Sequence, residues 1–291
     1  MLHDAADGLD TRPLPEIATV LLDAQMAAVA AVRPALGDIS RAARSLTQCV
    51  RRGGGLHYAA AGSSGLMAMA DAAELPGTFG IAPERISIAM AGGIPSTADM
   101  PGGAEDDARD GAARAQAVAR GDAAIVVAAS GATPFAIGFA QAAKRRGAVV
   151  IALANNEQAP LFDHAHHSIC LPTPPEVIAG STRMGAGSAQ KAALNILSTL
   201  LGVALGHVHD GMMVNLRADN AKLTARARRT IQRIAHVGDK AAGQALNDAA
   251  GEVKPAVLIA AGTRSVARAR ALLDAAGGNL RAALLRAAQS P

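Results

Sequence analysis

The feature that most constrains this chain is an alternation of short apolar runs with helical stretches. Leu56 to Ala61, Ile86 to Ala91, Ala123 to Ala129, Val149 to Ala154 and Ser168 to Leu171 are each short and rich in Ala, Val, Leu and Ile, and most run into Gly/Ser/Thr turns. Strands that alternate with helices pair in parallel, because a parallel neighbour needs a crossover, and the crossovers cover the faces. The expectation is an α/β fold with a five-stranded parallel sheet and helices on both faces. Ahead of it, Ile17 to Val50 reads as two helices broken near Arg33-Pro34. After Gly180 the pattern changes: Ala186 to Ala204 is one long apolar-periodic helix and nothing strand-like follows. Helical segments near Asp219 to Ile234, Asp239 to Ala249, Lys254 to Ala260, Arg264 to Ala275 and Asn279 to Ala287 are separated by Gly or Gly-Gly. The expected organisation is an N-terminal helical segment over 1–34, the sheet domain over 35–205 and a small C-terminal helical domain over 206–291.

With no Trp, one Tyr and four Phe, the core must pack on small and branched side chains, which favours close helix approach. The formal charge of +4 arises from 28 basic residues dispersed among 24 acidic ones, with almost no aromatics to stack on bases, so nucleic acid is not expected as a partner. The basic run from Lys222 to Arg233 has helical spacing and reads as a solvated helix face. Cys49 and Cys170 have no metal-ligand or redox spacing, which fits a reducing compartment. Asp4, Asp7 and Asp10 open the chain in place of a basic leader, and no uninterrupted apolar run reaches the roughly 18 residues of a membrane span. The expectation is a cytoplasmic protein without a membrane anchor. His164, His166 and His167 lie where consecutive side chains diverge, and His207 with His209 lacks a third ligand, so neither metal nor cofactor is expected.

Two turns share one design. The run ending at Ala61 enters Gly62-Ser63-Ser64-Gly65, and the run ending at Ala129 enters Ser130-Gly131-Ala132-Thr133-Pro134. At the carboxyl end of a parallel strand, such a turn offers hydroxyls, backbone N–H groups and a positive helix end to an anion. One such turn is explained by helix capping alone; two at corresponding places point to phosphate, with Ser63, Ser64, Ser130 and Thr133 as its ligands. Asp71-Ala72-Ala73-Glu74 puts carboxylates near the end of a helix, where negative charge is disfavoured, and Glu105-Asp106-Asp107 puts three at the expected start of another, where it is favoured.

These segments, together with Glu176-Val177-Ile178-Ala179-Gly180-Ser181-Thr182-Arg183-Met184, Ala189-Gln190-Lys191 and the closing Gly277-Gly278 segment, resemble the N-acetylmuramic acid 6-phosphate etherases in order and spacing over nearly the whole chain. Those etherases are a branch of the sugar isomerase (SIS) proteins. The resemblance implies a SIS-type sheet and a homodimer with its site near the subunit boundary, acting on a phosphorylated amino sugar. It implies cleavage of a D-lactyl ether by elimination and hydration, with Glu74 as general acid and Glu105 as the base that removes the C2 proton. It also places Glu176, Ser181 and Thr182 at the substrate. Two other readings stay open: a SIS isomerase using Glu176 as its base, and a non-catalytic sugar-phosphate-binding regulator. The chain departs from the family pattern where Leu66, Ala132 and Gly185 replace Arg, Arg and Lys, so three cations that could hold anionic groups are missing.

Overall fold

The computed structural model describes residues 2–98, 100–216 and 220–289. The chain forms two compact units, residues 1–73 with 84–200, and residues 74–83 with 201–291.

The first unit opens with α1 (Leu14–Ala30) and α2 (Leu36–Arg51), separated by a 3-10 turn at Arg33–Ala35, where Pro34 cannot continue a helix. By length and composition alone the stretch Leu14–Arg51 could cross a membrane, although no uninterrupted apolar run does so. In the fold, α2 is amphipathic and buries Ile39, Ala42, Ala43, Leu46 and Val50 on the side that meets the sheet, whereas Leu14, Leu22 and Met26 of α1 are exposed. The sheet follows: β1 (Leu56–Ala60), α3 (Gly62–Phe79), β2 (Ile86–Met90), α4 (Ala108–Arg114), β3 (Ala123–Val127), α5 (Pro134–Arg145), β4 (Val149–Ala154), β5 (His167–Cys170) and α6 (Gly185–Ala204). All five strands are parallel, in the order β2-β1-β3-β4-β5. Both faces are covered, as an all-parallel sheet requires. Ala59, Ala124, Val126, Val150 and Ala152 pack with Phe135 and Phe139 of α5 on one face; Tyr58, Ile125, Ile151 and Leu153, of opposite parity along the strands, are also buried.

The second unit holds the last turns of α3 and α6 and a short hairpin, β6 (Val208–His209) with β7 (Met212–Met213), which corrects the expectation that nothing strand-like follows α6. Asp210 and Gly211, both with positive φ, make its two-residue turn. Five short helices follow: α7 (Ala221–Ala235), α8 (Asp239–Asp248), α9 (Val253–Ala260), α10 (Val266–Ala275) and α11 (Leu280–Gln289). Asn220 caps α7; Asp219, from which that helix was expected to run, lies outside the described residues. Lys254 is buried among them and donates to the Gly278 carbonyl at 2.7 Å, and burial holds its ammonium down to about 8.

The amino-terminal edge of the sheet is locked by one carboxylate. Asp122, just before β3, accepts from Gly55 N and Ala119 N at 2.7 Å each and pairs with His57 Nε2 at 2.9 Å, while His57 Nδ1 lies 2.6 Å from Ser87 Oγ. β1, β2 and β3 are thereby tied together at their starts. Burial pushes the Asp122 carboxyl up, but the two backbone donors and His57 outweigh it and hold the group below its ordinary value. The stabilisation is therefore complete above the ordinary carboxyl value of 3.8 and is lost as pH falls through the lower folded value. Replacing Asp122 by Ala should cost about 2–3 kcal/mol near neutral pH, since two backbone donors lose their acceptor. Urea unfolding at pH 7 and pH 3 checks this: the gap between wild type and Asp122→Ala should narrow at the lower pH.

Candidate active site

In an open parallel sheet the ligand crevice lies at the carboxyl ends of the strands where the strand order reverses. Here that place is between β1 and β3, since the chain goes from β1 outward to β2 and then crosses back to β3. Ala60 and Val127, the last residues of those strands, are register partners. The Gly62–Gly65 turn and the Ser130–Thr133 turn thus leave adjacent strands at one edge, and the loop after β2 leaves the same edge.

Each turn has its own chemistry. Gly62, with φ of +51°, is the first residue of α3, and Ser64 behind it is buried. Ser130 Oγ accepts from Ala132 N at 3.1 Å, so its hydroxyl closes its own turn. Gly131, at φ +69°, has no room for a side chain, because a β-carbon there would stand 2.2 Å from the Ala159 β-carbon. Thr133 is the N-cap of α5 but makes no side-chain capping bond, and Pro134 takes the first helical position. Capping therefore does not account for the Thr133 hydroxyl.

Glu105 differs from expectation in an instructive way. It does not begin a regular helix: it lies in a 3-10 turn, Gly102–Asp106, and the cap of α4 is Asp107, whose Oδ1 accepts from Arg109 N and Asp110 N at 2.9 Å each. The helix end that Glu105 meets is instead that of α3. Its Oε1 lies 2.9 Å from where a β-carbon on Gly62 would stand, and the two residues line one cavity of about 210 Å³. A helix N-terminus carries partial positive charge, so Glu105 sits in a favourable field supplied by a different element. The rest of the cavity is lined by Met90, by the loop from Ala91 to Thr97, and by Met100 and Pro101. Ser96 and Thr97 were missed in the sequence; the Gly92-Gly93 pair closing the second apolar run was the available signal.

Glu74 is exposed on α3, which runs through Pro76 to Phe79 and so places the residue more than a turn before the helix end. Glu176 is half-buried, and both its oxygens are engaged: Oε2 accepts from Gly185 N at 2.8 Å and Oε1 from Ala186 N at 2.9 Å. It caps α6 and closes the Gly180–Met184 turn, in which Ser181 is half-buried and Thr182 exposed. The loop histidines go to separate partners: His164 to Gln141, His166 Nδ1 to Val150 N, and His167 to Ser45. Among the described residues, no group of His, Cys, Asp and Glu has the makings of a metal site.

Residues 24–155 match the SIS domain family. The chain is 41% identical to the N-acetylmuramic acid 6-phosphate etherase of Deinococcus radiodurans, over 97% of this chain and 92% of that one. It is 37% identical to the enzyme of the same name from Mycolicibacterium smegmatis, over 95% and 93% of the two chains. The chain belongs to the N-acetylmuramic acid 6-phosphate etherase family. Among solved structures, a phosphoheptose isomerase from Neisseria gonorrhoeae matches with a TM-score of 0.51 at 18% identity, covering 65% of this chain and 98% of that one, a likeness of fold. Within this etherase-family fold, the contact between Gly62 and Glu105 is open to a direct test. Gly62→Ala should force Glu105 away from α3 and weaken sugar-phosphate binding, whereas Gly77→Ala, farther along the same helix and outside the cavity, meets no atom within 4 Å and should bind nearly as wild type does. Isothermal titration with N-acetylglucosamine 6-phosphate would measure both; equal binding by the two variants would show that the contact is irrelevant.

Proposed function

We propose that this protein cleaves the D-lactyl ether of N-acetylmuramic acid 6-phosphate, giving N-acetylglucosamine 6-phosphate and D-lactate. The observation that carries the reading is the carboxylate of Glu105 in a cavity at the carboxyl ends of β1 and β2, beside the first turn of α3, in a chain whose full-length relatives bear the etherase name. The open-chain aldehyde acidifies the C2 proton. Glu105 removes it, the C3–O bond breaks as Glu74 protonates the departing lactate oxygen, and water adds at C3 while a proton returns to C2. This is a carbon–oxygen lyase reaction followed by hydration. Ser63, Ser64, Ser130 and Thr133 hold the phosphate in this reading, with Ser181 and Thr182 toward the rest of the sugar.

The isomerase reading is disfavoured by Glu176, because a carboxylate spending both oxygens on Gly185 N and Ala186 N is poorly placed to accept a substrate proton. We further infer a cytoplasmic homodimer. Its support is the exposed apolar face of α1 at Leu14, Leu22, Met26 and Val29, and two cysteines that are both free.

D-lactate release and deuterium incorporation at C2 test the assignment together. Glu74→Gln should block release while leaving some C2 exchange, and Glu105→Gln should slow the exchange itself, each loss being about 10²–10⁴-fold. If exchange disappears only in Glu176→Gln, an isomerase replaces the etherase. The missing cations form a separate case. Leu66 is half-buried and Ala132 exposed, so Leu66→Arg with Ala132→Arg should raise kcat/KM on the muramic ester by supplying charge-assisted contacts. An unchanged kcat/KM would show those charges to be dispensable. Gly185 is less easily restored, because a β-carbon there would stand 3.1 Å from Glu176 Oε2 and 3.3 Å from the Ala28 β-carbon.

A further inference from the structure

Asp71 is 2% exposed, in the body of α3. Tyr58 Oη donates to its Oδ2 at 2.9 Å, and Asn195 Nδ2 and Ser198 Oγ donate to its Oδ1 at 3.0 and 2.9 Å. The donors come from β1 and α6, so a single carboxylate joins a central strand to two helices. Three converging donors suit an ionised group, which accepts at both oxygens and has no proton of its own. Burying such a group is costly, and apolar side chains of similar volume would hold the same three elements together at less cost. What a hydrogen-bonded joint adds is a single geometry, since each donor must meet its oxygen within a few tenths of an ångström.

Both helices in the joint begin at the ligand edge. α3 starts at Gly62, against Glu105, with Ser63 and Ser64 in its first turn; α6 starts behind Ser181 and Thr182 with its first N–H groups on Glu176. Glu74 follows Asp71 by three residues on α3. We propose that Asp71 is a positioning residue for the elimination: its joint with Tyr58, Asn195 and Ser198 fixes the start of α3 relative to α6, and with it the placement of Glu105 against bound sugar phosphate. This rests on the etherase reading above. Burial raises the Asp71 carboxyl from its ordinary value while Ser198, Tyr58, Asn195 and the charge of Lys191 pull it back, as expected of a charge kept inside by its donors.

The test uses the whole protein and two near-isosteric variants. Asp71→Asn keeps the volume and removes the charge; Tyr58→Phe removes one donor and keeps the charge. Asp71→Asn should lower kcat for D-lactate release by about tenfold or more with a much smaller change in KM, because small misplacement of reacting groups is costly. Tyr58→Phe should fall between it and wild type, and it carries the test if Asp71→Asn does not fold. Amide exchange followed by mass spectrometry should speed up in the first turns of α3 and α6 in both variants. A kcat per folded molecule within about twofold of wild type, or unchanged exchange in those turns, would overturn the proposal. If wild type releases no D-lactate, the etherase reading fails instead, and the exchange experiment alone decides whether Asp71 fixes the two helix starts.

Discussion

Close approach of backbones, made possible by small side chains, governs the sheet unit. α4 and α5 touch main chain to main chain: a β-carbon on Gly111 would stand 2.1 Å from the Phe135 carbonyl oxygen, and one on Gly138 would stand 2.1 Å from that of Ala108. Ala115, Ala136, Ala140 and Ala143 fill the space around this contact, with Phe135 and Phe139 as fully buried rings and Phe162 packed against them from the edge. A core this tight has no slack to absorb an added methyl group, so shifts are transmitted and not dissipated. The contact also has consequences at the site. Ala108 begins α4 two residues after the turn that holds Glu105, and Phe135 lies two residues after Thr133. Packing chemistry therefore couples the segment bearing the proposed base to the turn bearing a proposed phosphate ligand.

Carboxylates serve as turn locks in several places, each by accepting paired backbone N–H groups. Asp122 does so at the amino-terminal edge of the sheet, Asp107 at the start of α4 and Glu176 at the start of α6. Such bonds satisfy donors that helix starts and turns leave open, and they fix the carboxylate to the scaffold. Asp71 is the side-chain version of the same device. Glu105 is the contrasting case, lining a cavity beside a helix start that its own segment does not supply. Function is more credibly placed on a carboxylate facing space than on one whose oxygens are already assigned to structure.

Much of this was legible in the sequence, for a physical reason. Parallel strands buried on both faces appear as continuous apolar runs, so all five can be located from the sequence together with the turns that follow them. What escaped depends on residues far apart in the chain. The Asp122–His57 pair spans 65 positions and the Asp71–Ser198 bond spans 127, and neither leaves a local pattern. Local sequence assigns Glu105 to the start of the helix that follows it, whereas the helix start it meets is that of α3 at Gly62, just after the neighbouring strand β1. The carboxylates Asp71 and Glu74, expected near the end of a helix, lie inside α3, which continues through Pro76 to Phe79. A proline removes one helical donor, and a long helix can lose that bond near its end.

The three missing cations bear on how an anion would be held. A guanidinium attracts phosphate or carboxylate through net charge and paired hydrogen bonds, whereas backbone N–H groups and hydroxyls act only through oriented dipoles. With Leu66 and Ala132 in place of Arg, an anion at these turns would be held more by the second kind. Of the helix starts at the ligand edge, that of α6 is already committed to Glu176, and that of α3 faces Glu105. The start of α5, capped by a Thr133 whose hydroxyl makes no capping bond, is committed to neither.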